Sequence, residues 1–187
     1  MKKTVLPFAK DGYILRLAQE NDANDYYQQN FNPLDKEVAR LTGSKTEYTY
    51  DEVVGFFMKC LSSEDRYDFL IISPDGRIIG ESVINEIDWE LRCGNFRVGI
   101  FHSDECSKGI GSWAIEMTRN FAFETLNLHR LELEVFSFNQ RAQKAYIKAG
   151  FQKEGILRDA IMDGKEYADL ILMAILEDEW KVIKGVC

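Results

Sequence analysis

The 187-residue sequence is poor in proline, histidine and cysteine. Its three prolines, Pro7, Pro33 and Pro74, leave long stretches free to form helix or strand. No Gly/Ser linker, low-complexity tract or internal repeat interrupts it, so one domain over 1–187 is expected. No apolar run approaches the roughly 18 residues that a membrane helix needs. Thr4 to Lys10, behind Met-Lys-Lys, is too short and interrupted for the apolar part of a secretion signal. Cys187 is the last residue, whereas a prenylated Cys sits fourth from the end. A cytoplasmic location without membrane contact is expected.

Metal and redox chemistry lack their residue patterns. Cys60, Cys93, Cys106 and Cys187 form no C-x-x-C pair, and His102 and His129 are not at ligand spacing. Neither a metal site nor a disulfide framework is expected, and the thiols should be free in a reducing compartment. Positive charge is also scarce: 23 Lys+Arg face 31 Asp+Glu, a net charge of −8. A phosphate-backbone binder wants the opposite balance, so no nucleic-acid partner is expected. Disorder is excluded by 45% hydrophobic residues. The charge is uneven, because residues 19–91 carry 6 basic and 16 acidic side chains, a balance of −10. Such a half either aids solubility or gathers a cationic substrate, beside a half that tolerates a polyanion.

Strands are predicted at 13–17, 68–72, 77–87, 95–101, 130–136, 151–160 and 166–175. The clearest alternates Leu131, Leu133 and Val135 with Glu132 and Glu134. Ser-Pro-Asp-Gly at 73–76 is a turn by residue type. Helices are predicted at 21–29, about 50–61, 109–126 and 139–149, with a short tail helix at 176–182. Residues 30–49, which contain Asn-Pro and Thr-Gly, read as a long loop with some helix, and loops of that length are commonly functional. The order gives an α+β or mixed α/β domain around one twisted sheet.

Two segments carry chemistry. Cys106-Ser107-Lys108-Gly109-Ile110-Gly111 joins a strand to the strongest helix. Unpaired N–H groups and the helix dipole favour an anion there, and glycine allows close approach. The segment is either a pyrophosphate cradle or a plain glycine turn. It is not a Walker A loop, because Gly-Lys followed by Ser or Thr is missing, nor a dinucleotide fingerprint, because the third Gly is missing. In the second segment Asn139 can cap a helix, and Tyr146 lies two turns later, less about 20°. With small Ala142 between them, the pair lines a groove, or caps and packs.

Together, S-K-G-I-G and then N-x-x-A-x-x-x-Y-x-K-x-G-F resemble the GNAT superfamily of acetyl-CoA-dependent N-acetyltransferases. Gly155 to Asp159 and Asp163 to Asp169 resemble the final hairpin of the branch holding spermidine and ribosomal-protein alanine N-acetyltransferases. The resemblance implies a single domain with a twisted, mostly antiparallel sheet of about seven strands and about four helices. It divides the chain into an acidic substrate side at about 19–91 and an acetyl-CoA side at about 95–175.

The resemblance also assigns roles. Ile100 and Phe101 would offer backbone groups to the pantetheine and the oxyanion. Cys106 to Gly111, with Ser112, would bind the pyrophosphate. Cys106 stands where the family has Arg or Gln, so Lys108 and the backbone must suffice. Asn139, Ala142 and Lys148 fall in the CoA-side motif, and Tyr146 matches the general acid. Many relatives hold a base Glu where this chain has Asn95, so Glu86 becomes the candidate base, with Glu81 and Asp88 behind it. Freeing an ammonium of pKa about 10.4 at pH 7 costs about 4–5 kcal/mol, which a carboxylate can share. Asp35, Glu37, Glu47 and Asp88 are the candidate contacts to a cationic acceptor.

A polyamine or other small cationic amine is the expected acceptor, a protein N-terminus the alternative. A non-catalytic acyl-CoA sensor is a separate reading that Tyr146 argues against, since a sensor needs no acid. An acyl-enzyme on Cys106 would need His102 as its base. A homo-oligomer is compatible with the sequence.

Overall fold

The computed structural model describes residues 5–186. Eight strands form one sheet: β1 (Phe8–Lys10), β2 (Tyr13–Leu17), β3 (Tyr67–Ile72), β4 (Ile78–Asp88), β5 (Cys93–Ile100), β6 (Arg130–Phe136), β7 (Gln152–Asp163) and β8 (Glu166–Leu176). Their spatial order is β1-β2-β3-β4-β5-β6-β8-β7. All neighbours are antiparallel except β5 and β6, which run parallel. The helices are α1 (Ala23–Asn30), α2 (Lys36–Thr42), α3 (Tyr50–Ser62), α4 (Ile110–Glu124), α5 (Gln140–Lys148) and α6 (Glu177–Lys184).

The sheet therefore has one strand more than the seven expected, and the described residues hold six helices rather than about four. β1 is only three residues long, too short for an alternating pattern. α2 lies inside the segment read as a long loop with some helix, and is that helix. Asp35 accepts the N–H groups of Glu37 and Val38 at its start, and Gly43 ends it at φ +67. An Asp cap and a left-handed Gly are ordinary helix boundaries. Their signal was hidden because only seven residues lie between them.

Both sheet faces are covered. On β3, Tyr67, Phe69 and Ile71 join the core beneath α4 and α5, while Leu70 and Ile72 join a second core with α1 and α3. Alternate side chains of a strand point to opposite faces, so a strand buried on both reads as a continuous apolar run. α3 is started by a capping box in which Thr49 and Glu52 satisfy each other's backbone. α4 supplies the crossover that the parallel β5–β6 pair requires, and Thr118 on it shares a 2.7 Å hydroxyl bond with Ser82 of β4.

The site is positioned by a break in the sheet. β5 and β6 pair only where Cys93 to Asn95 meet Arg130 to Glu132. Beyond Asn95 and Glu132 they diverge, each still held on its outer side by β4 or β8. The result is a V-shaped gap. No described helix is long and apolar enough to cross a membrane.

Candidate active site

A cavity of about 640 Å³ occupies the gap, with walls that include Val98 and Gly99 on β5, Glu134 to Phe136 on β6, and Tyr146 on α5. α2 closes its mouth. Val38 and Leu41 line it, and Arg40 makes a two-pronged bond to Asp163 at the end of β7.

The register of β5 decides which backbone groups face the gap. The Phe101 N–H donates to the Ile79 carbonyl at 2.9 Å. Antiparallel pairing alternates, so Gly99 likewise turns its N–H and C=O toward Glu81 of β4. Val98 and Ile100 then point theirs the other way, where β6 has left. Gly99 adds access, since a Cβ on it would meet nothing within 4 Å.

The Cys106–Gly111 segment is an array of donors. Among the described residues, no backbone N–H from Ser107 to Ser112 makes a hydrogen bond. Ser107 and Gly109 are left-handed at φ +64 and +83. Gly109 precedes α4 with no side-chain cap. Successive N–H groups in such a turn make an anion-binding concavity, reinforced by the helix dipole. Space above Gly109 is open, and Gly111 sits against Ile100, so the array adjoins the free edge of β5. Lys108 pairs with Glu105 at 2.7 Å, which leaves its ammonium beside the loop.

Asn139 caps α5 by accepting the Ala142 N–H at 3.2 Å, and its amide donates to Leu41 at 3.3 Å. Tyr146, two turns on, is 5% exposed and lines the cavity, with its ring edge-on to Phe96 and Phe151. Burial pushes its phenol above the usual 10. The phenol therefore holds its proton more firmly than a free tyrosine does. Buried Arg119 of α4 donates to the Ala149 carbonyl at 2.5 Å and so ties down the end of this helix.

The opposite side of the gap is aromatic and carries charge. Tyr26, Phe31, Tyr48 and Phe101 pack together, edge to face at 5.4 Å for Tyr26–Phe101 and 5.5 Å for Phe31–Tyr48 and tilted for Tyr26–Phe31 and Phe31–Phe101. Glu81 accepts the Tyr26 hydroxyl at 2.7 Å and pairs with Arg97 at 3.0 Å. Burial, then the charge of Glu81, raises the Tyr26 phenol well above its usual range. Glu52 pairs with Lys45 at 3.0 Å.

A family model described as the acetyltransferase (GNAT) domain matches residues 13–152. The chain belongs to the GNAT family. It is an acetyl-CoA-dependent N-acetyltransferase. It is 26% identical to a spermidine N(1)-acetyltransferase of Vibrio cholerae over 132 residues, 71% of this chain and 76% of that one. It is 25% identical to the Escherichia coli K12 enzyme of the same name over 160 residues, 79% and 86% of the two chains. In fold it matches a Vibrio cholerae spermidine N-acetyltransferase solved with CoA and spermine. The TM-score is 0.80 at 22% identity, covering 91% of this chain and 99% of that one.

The acetyltransferase has the features its co-substrate demands. The free donors of Ser107 to Ser112 suit a pyrophosphate, and the unpaired edge at Val98 and Ile100 suits an amide-bearing pantetheine arm. Cys106 does not join them, since its N–H goes to Ser103 at 3.2 Å and its thiol to the His102 carbonyl at 3.5 Å. Burial raises the Cys106 thiol, and His102 Nε2 lies 2.9 Å from the Gln29 carbonyl, so the two do not form a nucleophile and base. Phe101 contributes its ring to the cavity while its N–H belongs to β4. Lys148 is exposed at the far end of α5 and does not line the cavity.

Of the carboxylates expected on the acceptor side, Glu81 lines the gap and the others do not. Glu86 is exposed at φ +53, in a bulge between Asn85 and Asp88 near the closed end of the V. The bulge breaks the alternation on which its placement rested. Asp88 instead accepts the N–H groups of Glu90 and Leu91, each at 2.9 Å. Asp35 is occupied by Glu37, Val38 and the Ser103 N–H at 2.9 Å. Glu37 and Glu47 are exposed and do not line the cavity. The carboxylates that do line it are Glu52, Glu81 and Glu134. Cys60, Cys93 and Cys106 are in no disulfide, and Cys187 lies outside the described residues. Among the described residues no cluster of His, Cys, Asp and Glu could hold a metal ion.

Proposed function

We propose that this acetyltransferase modifies a primary amine of a small polyamine-like cation, by direct attack with both substrates held in the gap. Acetyl-CoA supplies a thioester carbonyl and a thiolate leaving group. The N–H groups of Ser107 to Ser112 hold the pyrophosphate, with Lys108 beside them. The Val98 and Ile100 backbone aligns the pantetheine arm, and an N–H there faces the oxygen that gains charge during attack. Tyr146 donates its proton as negative charge reaches the sulfur.

The observation that carries the transfer chemistry is the buried Tyr146 at the gap, on a helix that Asn139 caps. A polyamine acceptor is supported by the spermidine acetyltransferases among the relatives and by the acidic 19–91 half. The aromatic walls add to this, since rings beside carboxylates suit an alkylammonium. A screen of polyamines, other small amines and short peptides, following free CoA, tests the reading. Preference for a di- or polyamine is the expected result, and preference for a peptide N-terminus would overturn it.

We also read residues 5–186 as one unit built on the single sheet, working in a reducing compartment as a homo-oligomer. Ile156, Leu157, Met162 and Tyr167 stand exposed on β7 and β8. A Vibrio cholerae spermidine N-acetyltransferase with this fold has been solved as a dodecamer. Sedimentation at micromolar concentration should find a species larger than 21.6 kDa.

A further inference from the structure

The Tyr146 hydroxyl makes no hydrogen bond among the described residues. Its place in the gap is therefore set by the ring and by the helix that carries it. That helix ends three residues later. The Phe151 N–H reaches back to the Tyr146 carbonyl and the Gly150 N–H to the Ile147 carbonyl, each at 3.0 Å, with Gly150 left-handed at φ +94. Such a closure usually adds an apolar contact between its two ends. Here that contact is between the Tyr146 and Phe151 rings, 5.8 Å apart. The proton donor thus sits inside the turn that ends α5.

A helix leaves its last carbonyls without partners of their own, and Ala149, at the end of α5, is buried. Arg119 of α4 supplies the missing donor, with Nη1 on the Ala149 carbonyl at 2.5 Å. Arg119 is itself 3% exposed and forms no ion pair among the described residues. Its Nε and Nη2 donate to the Asn120 side-chain oxygen at 3.3 and 3.0 Å. That oxygen also accepts the Trp180 indole N–H of α6 at 3.0 Å. Desolvation lowers the pKa of this guanidinium, and burying a cation without a carboxylate is costly. An apolar side chain of similar length would avoid that cost. The charge is instead aimed at the negative end of the α5 dipole, where a charge-assisted bond is roughly twice as strong as a neutral one.

We propose that Arg119 is a positioning residue for the transfer: by fixing the Ala149 carbonyl it fixes the end of α5, and with it the direction of the Tyr146 phenol. This role rests on the reading of Tyr146 as the proton donor. Arg119 touches neither substrate, since the cavity wall does not include it.

The test is Arg119→Met in the full chain, alone and combined with Tyr146→Phe. kcat is measured at saturating acetyl-CoA with spermidine, or with the amine that the screen above prefers, and acetyl-CoA affinity by calorimetry reports folding. Alone, Arg119→Met should lower kcat about 10- to 10²-fold, as a small misplacement of a reacting group does, with KM and acetyl-CoA affinity near wild type. In the Tyr146→Phe background it should cost about threefold or less, because no proton donor is left to position. Arg119→Lys, which keeps a cationic donor, should recover part of kcat. An equal loss in both backgrounds, or a loss confined to KM or acetyl-CoA affinity, would overturn the proposal. Should Arg119→Met not fold, Arg119→Lys is compared in the same two backgrounds, and an equal loss again overturns it. Wild-type kcat in Tyr146→Phe overturns the proton-donor reading itself. A slow Tyr146→Phe beside a wild-type Arg119→Met overturns this inference alone.

Discussion

The Phe101 N–H donates to the Ile79 carbonyl at 2.9 Å, and this bond fixes the direction of every backbone group on the free end of β5. It assigns Phe101 and Gly99 to β4, and it assigns Val98 and Ile100 to the gap. On the proposed reading, a pantetheine arm bound through backbone makes that part of the site insensitive to side-chain identity. The Ser107 to Ser112 loop would act the same way, with its backbone donors and one neighbouring lysine.

The loop can be tested by a charge placed on it. Gly109 is left-handed, and space above it is open. Asn and Asp have similar shape and tolerate that backbone better than other residues. Gly109→Asn should therefore bind acetyl-CoA moderately, and Gly109→Asp at least tenfold more weakly, because a carboxylate opposes the pyrophosphate. Calorimetry on the two folded variants measures the difference. Equal affinities would mean that the loop does not face the phosphates.

Salt should report on the acceptor. Exposed charges are screened over about 8–10 Å near physiological ionic strength. The rate at low concentration of a polycationic acceptor should fall as salt rises, while that of an amine uncharged at the same pH should change little. A steady-state salt series with both acceptors checks this, and parallel curves would remove steering by the acidic half.

Asp35 ties α2 to the Ser103 turn and should make the lid acid-sensitive. Burial alone would raise its acid, but the N–H bonds from Ser103, Val38 and Glu37 outweigh that and hold it at about 2, below the usual 3.8. A carboxyl depressed by folding stabilises above its unfolded pKa. That stabilisation is lost as pH falls from about 4 toward 2. Asp35→Ala should cost about 1 kcal/mol at pH 7, as a lost helix cap does. The gap between variant and wild type should close over that acid window in denaturant melts.

Much of this fold is legible in the sequence because its signals are local. β6 alternates cleanly, α4 and α5 begin at a Gly and an Asn, and Ser73–Gly76 turns as its residue types dictate, with a 2.9 Å bond from Gly76 to Ser73. The donor half of the site is readable for the same reason, since loop, cap and Tyr146 lie within 40 or so residues of each other. The acceptor half is not. Tyr26 and Glu81 meet across 55 positions, and no spacing rule links them. Glu86 was misplaced by a bulge that sequence does not mark. Asp35 resembles a substrate contact in the sequence but serves as a cap.

The proposed transfer turns on Tyr146 as the proton donor, and Tyr146→Phe probes that role without disturbing the ring. The change keeps the ring against Phe96 and Phe151 and removes only the hydroxyl. kcat should fall about 10²- to 10⁴-fold. Acetyl-CoA affinity should stay near wild type, as expected for an interaction made in the transition state. A thioester with a more acidic thiol should restore part of the rate, because its leaving group needs less protonation. Wild-type kcat in the folded variant, or a loss confined to acetyl-CoA affinity, would contradict the acid role and leave Tyr146 as a packing residue.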